Sequence, residues 1–233
     1  MDDRAIRQRV LDANLELPKL GLVILTWGNV SEIDRENGRM YIKGSGVAYD
    51  QMNTDNIAVT DLEGNPLTDV RPSSDTPIHL EIFKAFPEAV SVVHSHSQYA
   101  TMWAQMGKGI PCLGTTHADY FDGEVPCTRK MTDEEITSAY EKNNGAVIVE
   151  MFKDRGIDPA TVPGALIYSH GPFTWGSSVE DAVHHSYVLE YIAKMAMFCS
   201  INLEGKLEPI QPVLLGKHQG RKYGPNAYYG QGK

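Results

Sequence analysis

An apolar segment that ends in two histidines places the strongest constraint on how this chain can fold. In AVSVVHSHSQYA, residues 89–100, valine-rich residues typical of a buried strand run directly into His94 and His96. Side chains alternate across a strand, so both imidazoles leave the same face and can approach one point. A lone histidine usually does no more than satisfy a hydrogen bond, and zinc normally requires three or four ligands. The two histidines could simply mark the exit of the strand into a solvated loop; if they bind a metal ion, the fold must bring further ligands to this strand end.

A second segment repeats the pattern. The apolar strand predicted over residues 165–168 is followed by His170. If both strands belong to one sheet and end at the same edge, His170 can join the first two histidines. Asp75, just before a predicted helix, is a candidate fourth ligand, although it could instead only favour the helix N-terminus electrostatically. The complete set would suit Zn²⁺ or another borderline divalent metal; it comprises Asp75, His94, His96 and His170.

Length and charge limit the classes of protein that this chain can represent. The chain has 233 residues, of which 42% are hydrophobic and 22% charged, so one large domain over residues 1–233 is expected. The 30 acidic and 21 basic residues give a formal net charge of −9. This charge argues against a protein that coats nucleic acid or an anionic membrane. Any bound phosphate must be held by a few local donors.

The ends of the chain and its cysteines indicate a cytoplasmic protein. No run of about 18 apolar residues exists, and the charged N-terminus MDDRAIRQRV does not resemble a signal peptide. The three cysteines are widely spaced and include no C-x-x-C pair, so they predict neither a disulfide framework nor a thiolate zinc site. We expect them to be small buried apolar residues: Cys112, Cys127 and Cys199.

Hydrophobic periodicity predicts a mixed α/β order. Helices are predicted over residues 3–16, 98–106 and 177–199 and around residues 212–222. Two further helices are predicted from their start signals, which are Thr76 as N-cap with Pro77 at the first helical position and the capping box TDEE at 132–135. Strands are predicted over LVILTW, GRMYIKGSG and the two histidine-ending segments, with a hairpin around residues 63–65. The histidines in predicted helices are expected to be solvated or satisfied in the core, and His117 and His218 are left open; the former are His79, His184 and His185.

Three glycine- and serine-rich segments have the chemistry of anion sites. They are WGN at 27–29, KGSG at 43–46 and SSD at 73–75. Glycine allows backbone N–H groups to approach a ligand, and the serines lie near a predicted helix N-terminus, where the dipole favours phosphate. Each segment alone is more often an ordinary turn. Together with the candidate ligands, they predict a phosphate group bound near a metal ion.

The segments LTWGNVS, IKGSGV, RPSSDTPIH, VVHSHSQYATMWAQ, GTTHADYF, PCTRKMT, SHGPFTWG and NAYYGQ resemble the class II sugar-phosphate aldolase family, from about residue 5 to 231. Within it they are similar to the branch that epimerises pentulose phosphates. The resemblance implies an α/β fold with a central, mainly antiparallel sheet flanked by helices on both faces. It also implies bound Zn²⁺, a small sugar-phosphate substrate, no nucleic-acid or membrane partner, and a fourfold homotetramer with sites between subunits.

The resemblance also assigns roles to individual residues. Asp75, His94, His96 and His170 match the zinc ligands, Asp119 matches one catalytic acid/base, and Tyr229 matches the other, which in the family reaches a neighbouring subunit. The adjacent Tyr228 leaves that last match ambiguous. Lys43, His218 and Arg221 are candidate cations that could help a tyrosine act as a base at neutral pH. The candidate substrate-binding residues are Gly28, Asn29, Lys43, Ser45, Gly46, Ser73 and Ser74.

One departure from the family is visible in the second phosphate loop. The family usually reads IKPSG, whereas this chain has Gly44 in place of the proline. This replacement is expected to loosen the loop and to leave Ser45 and Gly46 in place.

The implied activity is inversion at C4 of a pentulose 5-phosphate by zinc-assisted cleavage and re-formation of the C3–C4 bond. Direct deprotonation at C4 would be difficult because no adjacent carbonyl acidifies that proton. An aldolase that releases its fragments is one alternative, although such enzymes typically carry Glu where this chain has Asp75. A structural zinc module or an adducin-like association domain is another. The step serves both arabinose and ascorbate catabolism, and the sequence does not distinguish these routes.

Overall fold

Six strands form one antiparallel sheet in the order β3–β2–β1–β4–β6–β5. The structure is a computed structural model that describes residues 2–225 and 227–229. The strands are β1 Asn29–Asp34, β2 Arg39–Lys43, β3 Ile57–Asp61, β4 Ser91–His94, β5 Gly164–Leu166 and β6 Pro172–Gly176. The helices are α1 Asp3–Lys19, α2 Thr76–Ala85, α3 Gln98–Gln105, α4 Thr115–Ala118, α5 Asp133–Thr137, α6 Tyr140–Arg155, α7 Val179–Asn202 and α8 Pro212–Tyr223.

Alternating side chains supply a core on each face of the sheet. One cluster joins α1 and the start of α7 to strand residues that include Val30, Tyr41 and Val93. The other joins α2 and α6 to the opposite face, which includes Ile42 and Val92. Adjacent residues on β2 and β4 therefore point to different cores, as the period of a strand requires. This architecture confirms the expected α/β fold with an antiparallel sheet between two helical layers.

The predicted strand LVILTW is wrong. Residues 22–28 form an irregular loop, and the strand begins only at Asn29. Leu22 packs in the α1 cluster, whereas Ile24 and Leu25 are exposed and Leu25 has a φ of +56°. A short apolar run does not reveal by periodicity whether it forms one buried element, and here its residues divide between core and surface. The predicted hairpin around 63–65 is present, but its second arm is only an isolated bridge at Pro66.

Several helix boundaries agree with their sequence signals. The Thr132–Glu135 capping box opens α5, and α7 and α8 lie where they were predicted. Thr76 is the first residue of α2 instead of its N-cap; Asp75 occupies the cap position, and its side chain makes no capping hydrogen bond. That carboxylate is thereby left for other contacts.

The cysteines are all free, as expected, but their predicted burial is wrong for Cys199. Cys112 is buried and Cys127 is partly buried, whereas Cys199 lies on the exposed side of α7. The sequence pattern of a long helix does not specify which of its faces is covered. Among the described residues, no helix combines the length and apolarity needed to cross a bilayer.

Asn14 clamps α1 to the sheet and provides a test of the packing. Its buried amide donates to the carbonyls of Val10 and Val30 and accepts from the N–H of Val30. Asn14→Ala would leave these buried groups without a partner, so the free energy of unfolding should fall by about 2–4 kcal/mol. Urea denaturation measures this loss. The matched change Asp12→Ala, at an exposed position of α1, should shift it by less than about 0.5 kcal/mol; equal losses would contradict the clamp.

Candidate functional site

Three histidines converge at one edge of the sheet. His94 is the last residue of β4, His96 follows two positions later, and His170 lies in the tight turn between β5 and β6. One ring nitrogen or more from each lies within 4.8 Å of the others. The turn approaches so closely that a Cβ on Gly171 would be 2.8 Å from the carbonyl oxygen of Ser95. Glycine at that position therefore allows the two strand ends to meet.

The fold also fixes the orientation of His94. Its ring stacks on Phe173 with centroids 4.2 Å apart, and Nδ1 lies 3.1 Å from the carbonyl oxygen of Pro172. Since a carbonyl only accepts, Nδ1 must carry a proton, which leaves Nε2 as the nitrogen of His94 that can bind a cation. A backbone acceptor of this kind is a usual orienting partner of a metal-binding histidine.

The protonation of the other two histidines also fits a cation. Burial, followed by the neighbouring His94, lowers the pKa of His96 to about 4 and that of His170 to about 3. Both rings are therefore neutral at pH 7 and offer lone pairs. Nδ1 of His170 is buried and has no hydrogen-bond partner among the described residues. These two neutral imidazoles, the oriented ring of His94 and the unsatisfied nitrogen of His170 fit a borderline divalent metal ion.

Asp75 lies beside this triad without belonging to the same close group. Its Oδ2 accepts from Nδ2 of Asn29 at 2.7 Å and from the hydroxyl of Ser73 at 3.4 Å. Burial alone would raise the pKa of Asp75, but its electrostatic interactions with His94 and His79 and the hydrogen bond from Asn29 together lower it. The carboxylate is therefore ionised at neutral pH and adds negative charge to the triad.

A single cavity of about 400 Å³ joins the triad to all three predicted phosphate loops. Every residue predicted to bind metal or substrate lines it. The lining comprises Thr26, Trp27, Gly28, Asn29, Lys43, Gly44, Ser45, Gly46, Ser73, Ser74, Asp75, His94, His96, Tyr140, Glu141 and His170.

Hydrogen bonds between the loops leave a specific set of donors unused. The N–H of Ser45 is taken by the carbonyl of Arg71, and that of Ser73 by the carbonyl of Lys43. Among the described residues, the cavity N–H groups that have no hydrogen-bond partner include those of Gly28, Gly46 and Ser74. Unpaired N–H groups around a concave surface are typical of anion sites.

Lys43 supplies positive charge from beneath the cavity. Its ammonium group donates to the carbonyl of Thr26 at 3.0 Å and lies 5.2 Å from the centre of the Tyr49 ring. Burial lowers the pKa of Lys43, and the charge of Asp75 opposes that shift. A buried cation at this position favours a bound anion.

Asp119 and Tyr229 form a second cluster outside this cavity. The Asp119 carboxylate accepts from Nδ1 of His218 at 2.8 Å and from Arg221 at 2.8 and 3.0 Å. The Arg221 guanidinium in turn lies 4.4 Å from the centre of the half-exposed Tyr229 ring. Burial would raise the pKa of Asp119, but the hydrogen bonds from Arg221 and His218 hold it below its ordinary value. One chain therefore brings the two predicted acid/base residues together, away from the metal candidates.

The remaining histidines agree with their structural interpretation. His79 is buried with Nδ1 2.7 Å from the Ser31 hydroxyl, and burial lowers its pKa to about 3. His184 is exposed, and Nδ1 of His185 lies 2.8 Å from the carbonyl of Trp175. His117, left open by the sequence, packs against Phe121, and burial lowers its pKa to about 4.

Comparison with known proteins decides the family. The family profile described as Class II Aldolase and Adducin N-terminal domain matches residues 8–197. The chain belongs to this class II aldolase family. Its curated relatives include L-ribulose-5-phosphate 4-epimerase UlaF of Salmonella paratyphi C and of Salmonella typhi. Each is 50% identical over 227 residues, which cover 97% of this chain and 98% of the relative.

Solved structures of class II aldolase relatives share the fold at lower identity. An L-fuculose 1-phosphate aldolase superposes with a TM-score of 0.77 at 22% identity, covering 93% of this chain and 95% of that one. YgbL of Klebsiella pneumoniae, titled a putative aldolase/epimerase/decarboxylase, gives 0.73 at 19% identity over 93% and 99%. These structures support the sheet and helix arrangement.

Sequence reasoning missed three residues that line the cavity. Thr26 precedes the first phosphate loop, while Tyr140 and Glu141 begin α6. No spacing or motif distinguished the start of α6, because its N-cap position, Ala139, carries no capping side chain. Of the terminal motif NAYYGQ, Asn226, Gly230 and Gln231 lie outside the described residues.

The unusual Gly44 is held closely by its neighbours. Its N–H donates to the carbonyl of Asn56, and a Cβ there would lie 2.7 Å from that oxygen. Restoring the usual proline with Gly44→Pro should lower the free energy of unfolding by about 2 kcal/mol and weaken binding of the substrate, because it removes the donor and adds crowding. Thermal unfolding and KM measure the two effects. Gly44→Ala keeps the N–H, so it separates the two causes; a proline variant as stable as the parent would disprove this account.

Proposed function

We propose that this chain is an L-ribulose-5-phosphate 4-epimerase that interconverts L-ribulose 5-phosphate and D-xylulose 5-phosphate. The observation that carries the proposal is a single cavity that joins a histidine triad to unpaired N–H donors. It occurs in a chain 50% identical, over nearly the full length of both proteins, to relatives bearing that name.

The metal in this proposal is Zn²⁺, held by His94, His96 and His170 with Asp75 as a further ligand. The neutral imidazoles and the ionised carboxylate beside them support that set. When bound, the ion supplies a Lewis acid that stabilises negative charge on the substrate oxygens.

The proposed reaction conserves all atoms through one bond cleavage. A base removes the proton of the C4 hydroxyl, C4 becomes the carbonyl of glycolaldehyde phosphate, and the C3–C4 electron pair passes into the enediolate of dihydroxyacetone. The aldehyde then rotates, and C3 attacks its other face. The new C4 alkoxide takes a proton from an acid on that side. This route avoids removal of the unactivated C4 proton.

The substrate phosphate is assigned to the three loops. Gly28, Gly46 and Ser74 would donate their free N–H groups, the hydroxyls of Ser45 and Ser73 lie in the same cavity, and the buried Lys43 adds positive charge. Asn29 connects the phosphate and metal regions because its amide bonds both Ser73 and Asp75. Firm binding of this terminus keeps the aldehyde in place while it turns.

We assign the two acid/base roles to Asp119 and Tyr229, acting across an interface between subunits of a homotetramer. Neither residue lines the metal cavity of its own chain, and Tyr229 is 54% exposed. A second copy could therefore present this cluster to the cavity. The hydrogen bonds that Asp119 accepts from His218 and Arg221 favour the carboxylate form that a base needs.

The two alternatives have less support. The support for an aldolase that releases its fragments comes from solved structures that are 22% and 19% identical to this chain. At such identities the likeness supports the fold and not the reaction. An adducin-like association domain would have no use for the triad beside a set of unpaired N–H donors. That residues 1–233 form one domain, and that the protein is cytoplasmic, stay predictions.

A coupled assay tests the proposal. L-Ribulose 5-phosphate is supplied to metal-loaded, chelated and Zn²⁺-restored protein, and both D-xylulose 5-phosphate and free glycolaldehyde phosphate are measured. We expect metal-dependent epimer with little free aldehyde. Aldehyde in stoichiometric amounts would indicate an aldolase, and no product in either channel would refute catalysis on this substrate. Circular dichroism of the chelated protein provides the control, because a catalytic site should lose its metal without unfolding.

A further inference from the structure

Trp27 contributes an apolar side chain to the cavity between the predicted phosphate loops and the histidine triad. Its ring centroid lies 5.8 Å from that of His96, and it follows Thr26 and precedes Gly28 in the first phosphate loop. The side chain is 50% exposed although tryptophan is normally well covered. Among the cavity residues contributed by the first and second loops, Trp27 alone has a large apolar side chain.

Hydrogen bonds hold the backbone around Trp27 in place, while the indole ring stays accessible from the cavity. The hydroxyl of Tyr49 lies 2.9 Å from the carbonyl oxygen of Trp27 and 3.0 Å from that of Gly28. The ammonium of Lys43 donates to the carbonyl of Thr26. Three consecutive carbonyls are therefore held from beneath, so the indole is presented to the cavity from a constrained loop.

The position of Trp27 corresponds to the reacting carbon of the proposed substrate. The C5 phosphate is assigned to the loops, and the C1–C3 fragment, which becomes the enediolate, is assigned to the histidine end because the bound metal would stabilise its negative charge. C4 must then lie between these two regions, and Trp27 is the residue that joins the first loop to the ring of His96. An aromatic face there can pack against C–H groups of the sugar and exclude water.

We propose that Trp27 is a specificity-determining residue that covers C4 and keeps the two cleavage fragments together until they recombine. The inference rests on the proposed epimerase function. An epimerase and an aldolase share the cleavage step and differ in whether the aldehyde leaves. An apolar cover over C4 lengthens the residence of the aldehyde without holding it in one orientation, so rotation remains possible while escape is slowed.

A partition experiment tests this role with three variants. Metal-loaded Trp27→Ala, Trp27→Phe and Ile24→Ala are given L-ribulose 5-phosphate, and the ratio of free glycolaldehyde phosphate to D-xylulose 5-phosphate is measured. Ile24 is the matched control, because it is an exposed apolar residue of the same loop that does not line the cavity. We expect a rise of at least about tenfold for alanine, a smaller rise for phenylalanine and the parental ratio for Ile24→Ala. An unchanged ratio for Trp27→Ala overturns the proposal.

Fluorescence gives a readout that does not depend on turnover. The other tryptophans, Trp103 and Trp175, are each 3% exposed, so quenching of the metal-loaded protein by acrylamide should report mainly Trp27. Glycolaldehyde phosphate should reduce this quenching, and inorganic phosphate alone should reduce it less, since it does not occupy the C4 position. Trp27→Phe should lose the response.

The two measurements separate failure of this inference from failure of the proposed function. An active epimerase whose Trp27 quenching ignores glycolaldehyde phosphate overturns the role of Trp27 alone. A protein with no epimerase activity refutes the proposed function, and ligand-dependent protection of Trp27 would still support contact with the aldehyde phosphate. If Trp27 is already shielded without ligand, with no further response, a subunit contact covers it and the proposal is overturned.

Discussion

His96→Ala is expected to remove the bound metal and to lower turnover by at least about 1000-fold. The imidazole is one of three that converge within 4.8 Å, and two histidines with one carboxylate would hold the ion much more weakly. His96 lies beyond the last residue of β4 and is more accessible than the buried His94. Its removal should therefore leave the sheet intact and isolate the loss of metal from a loss of fold.

Metal content per subunit, kcat and thermal unfolding measure these effects together. His184→Ala is the matched control, because His184 is an exposed histidine of α7 outside the triad. It should keep both metal and activity. A His96→Ala protein that retained one metal ion per subunit and normal turnover would show that the triad is not the metal site.

Tyr229→Phe should lower kcat by about 100-fold or more while leaving the metal content unchanged. The change removes a single hydroxyl from a half-exposed ring that stacks on Arg221 and does not line the cavity of the histidine triad. Tyr228→Phe is the control, because the neighbouring ring is also exposed and lies beside a different cation, Lys217. A larger loss in Tyr228→Phe than in Tyr229→Phe would transfer the role to Tyr228.

Mixing two inactive variants tests whether the site is shared between subunits. In an oligomer formed from equal amounts of His96→Ala and Tyr229→Phe chains, a metal-bearing subunit can receive an intact Tyr229 from its neighbour. Random assembly should then restore about a quarter of the sites. If each site used its own Tyr229, no mixture would recover activity, and the proposed interface between copies would be wrong.

The convergence of the three histidines at one end of the strands was predictable because strand ends have few geometric possibilities. Once His94 and His170 were assigned to strand ends at one edge of a sheet, the two side chains were expected to lie close together. In the structure, His94 ends β4 and His170 lies in the turn before β6, and these two strands are neighbours. The loops at 27–29, 43–46 and 73–75 were also recognisable, since glycine and serine clusters near a helix start have a direct physical use.

Other features depended on contacts that the sequence does not encode locally. The run at 22–27 is apolar enough for a strand, but tertiary packing takes Leu22 and leaves Ile24 and Leu25 exposed. Nothing in the motif around Asp119 indicates that α8, about 100 residues later, supplies its partners His218 and Arg221. The family resemblance implied that Tyr229 serves a neighbouring subunit, whereas the position of Asp119 outside the cavity of its own chain could be seen only in the folded chain.

The histidine end of the cavity and the cluster around Asp119 are expected to open at different rates, because only the first is built on the paired strands β1, β4 and β6. Asn29, His94 and Phe173 pair in register on three adjacent strands in the interior of the strand order, and hydrogen-bonded amides of central strands exchange with solvent only when much of the domain opens. Asp119 instead caps the four-residue helix α4 and is held mainly by α8. Transient opening should therefore release the proposed acid/base cluster long before the strand ends that carry the histidines, so we expect inactivation by mild heating to leave a folded protein that keeps its metal.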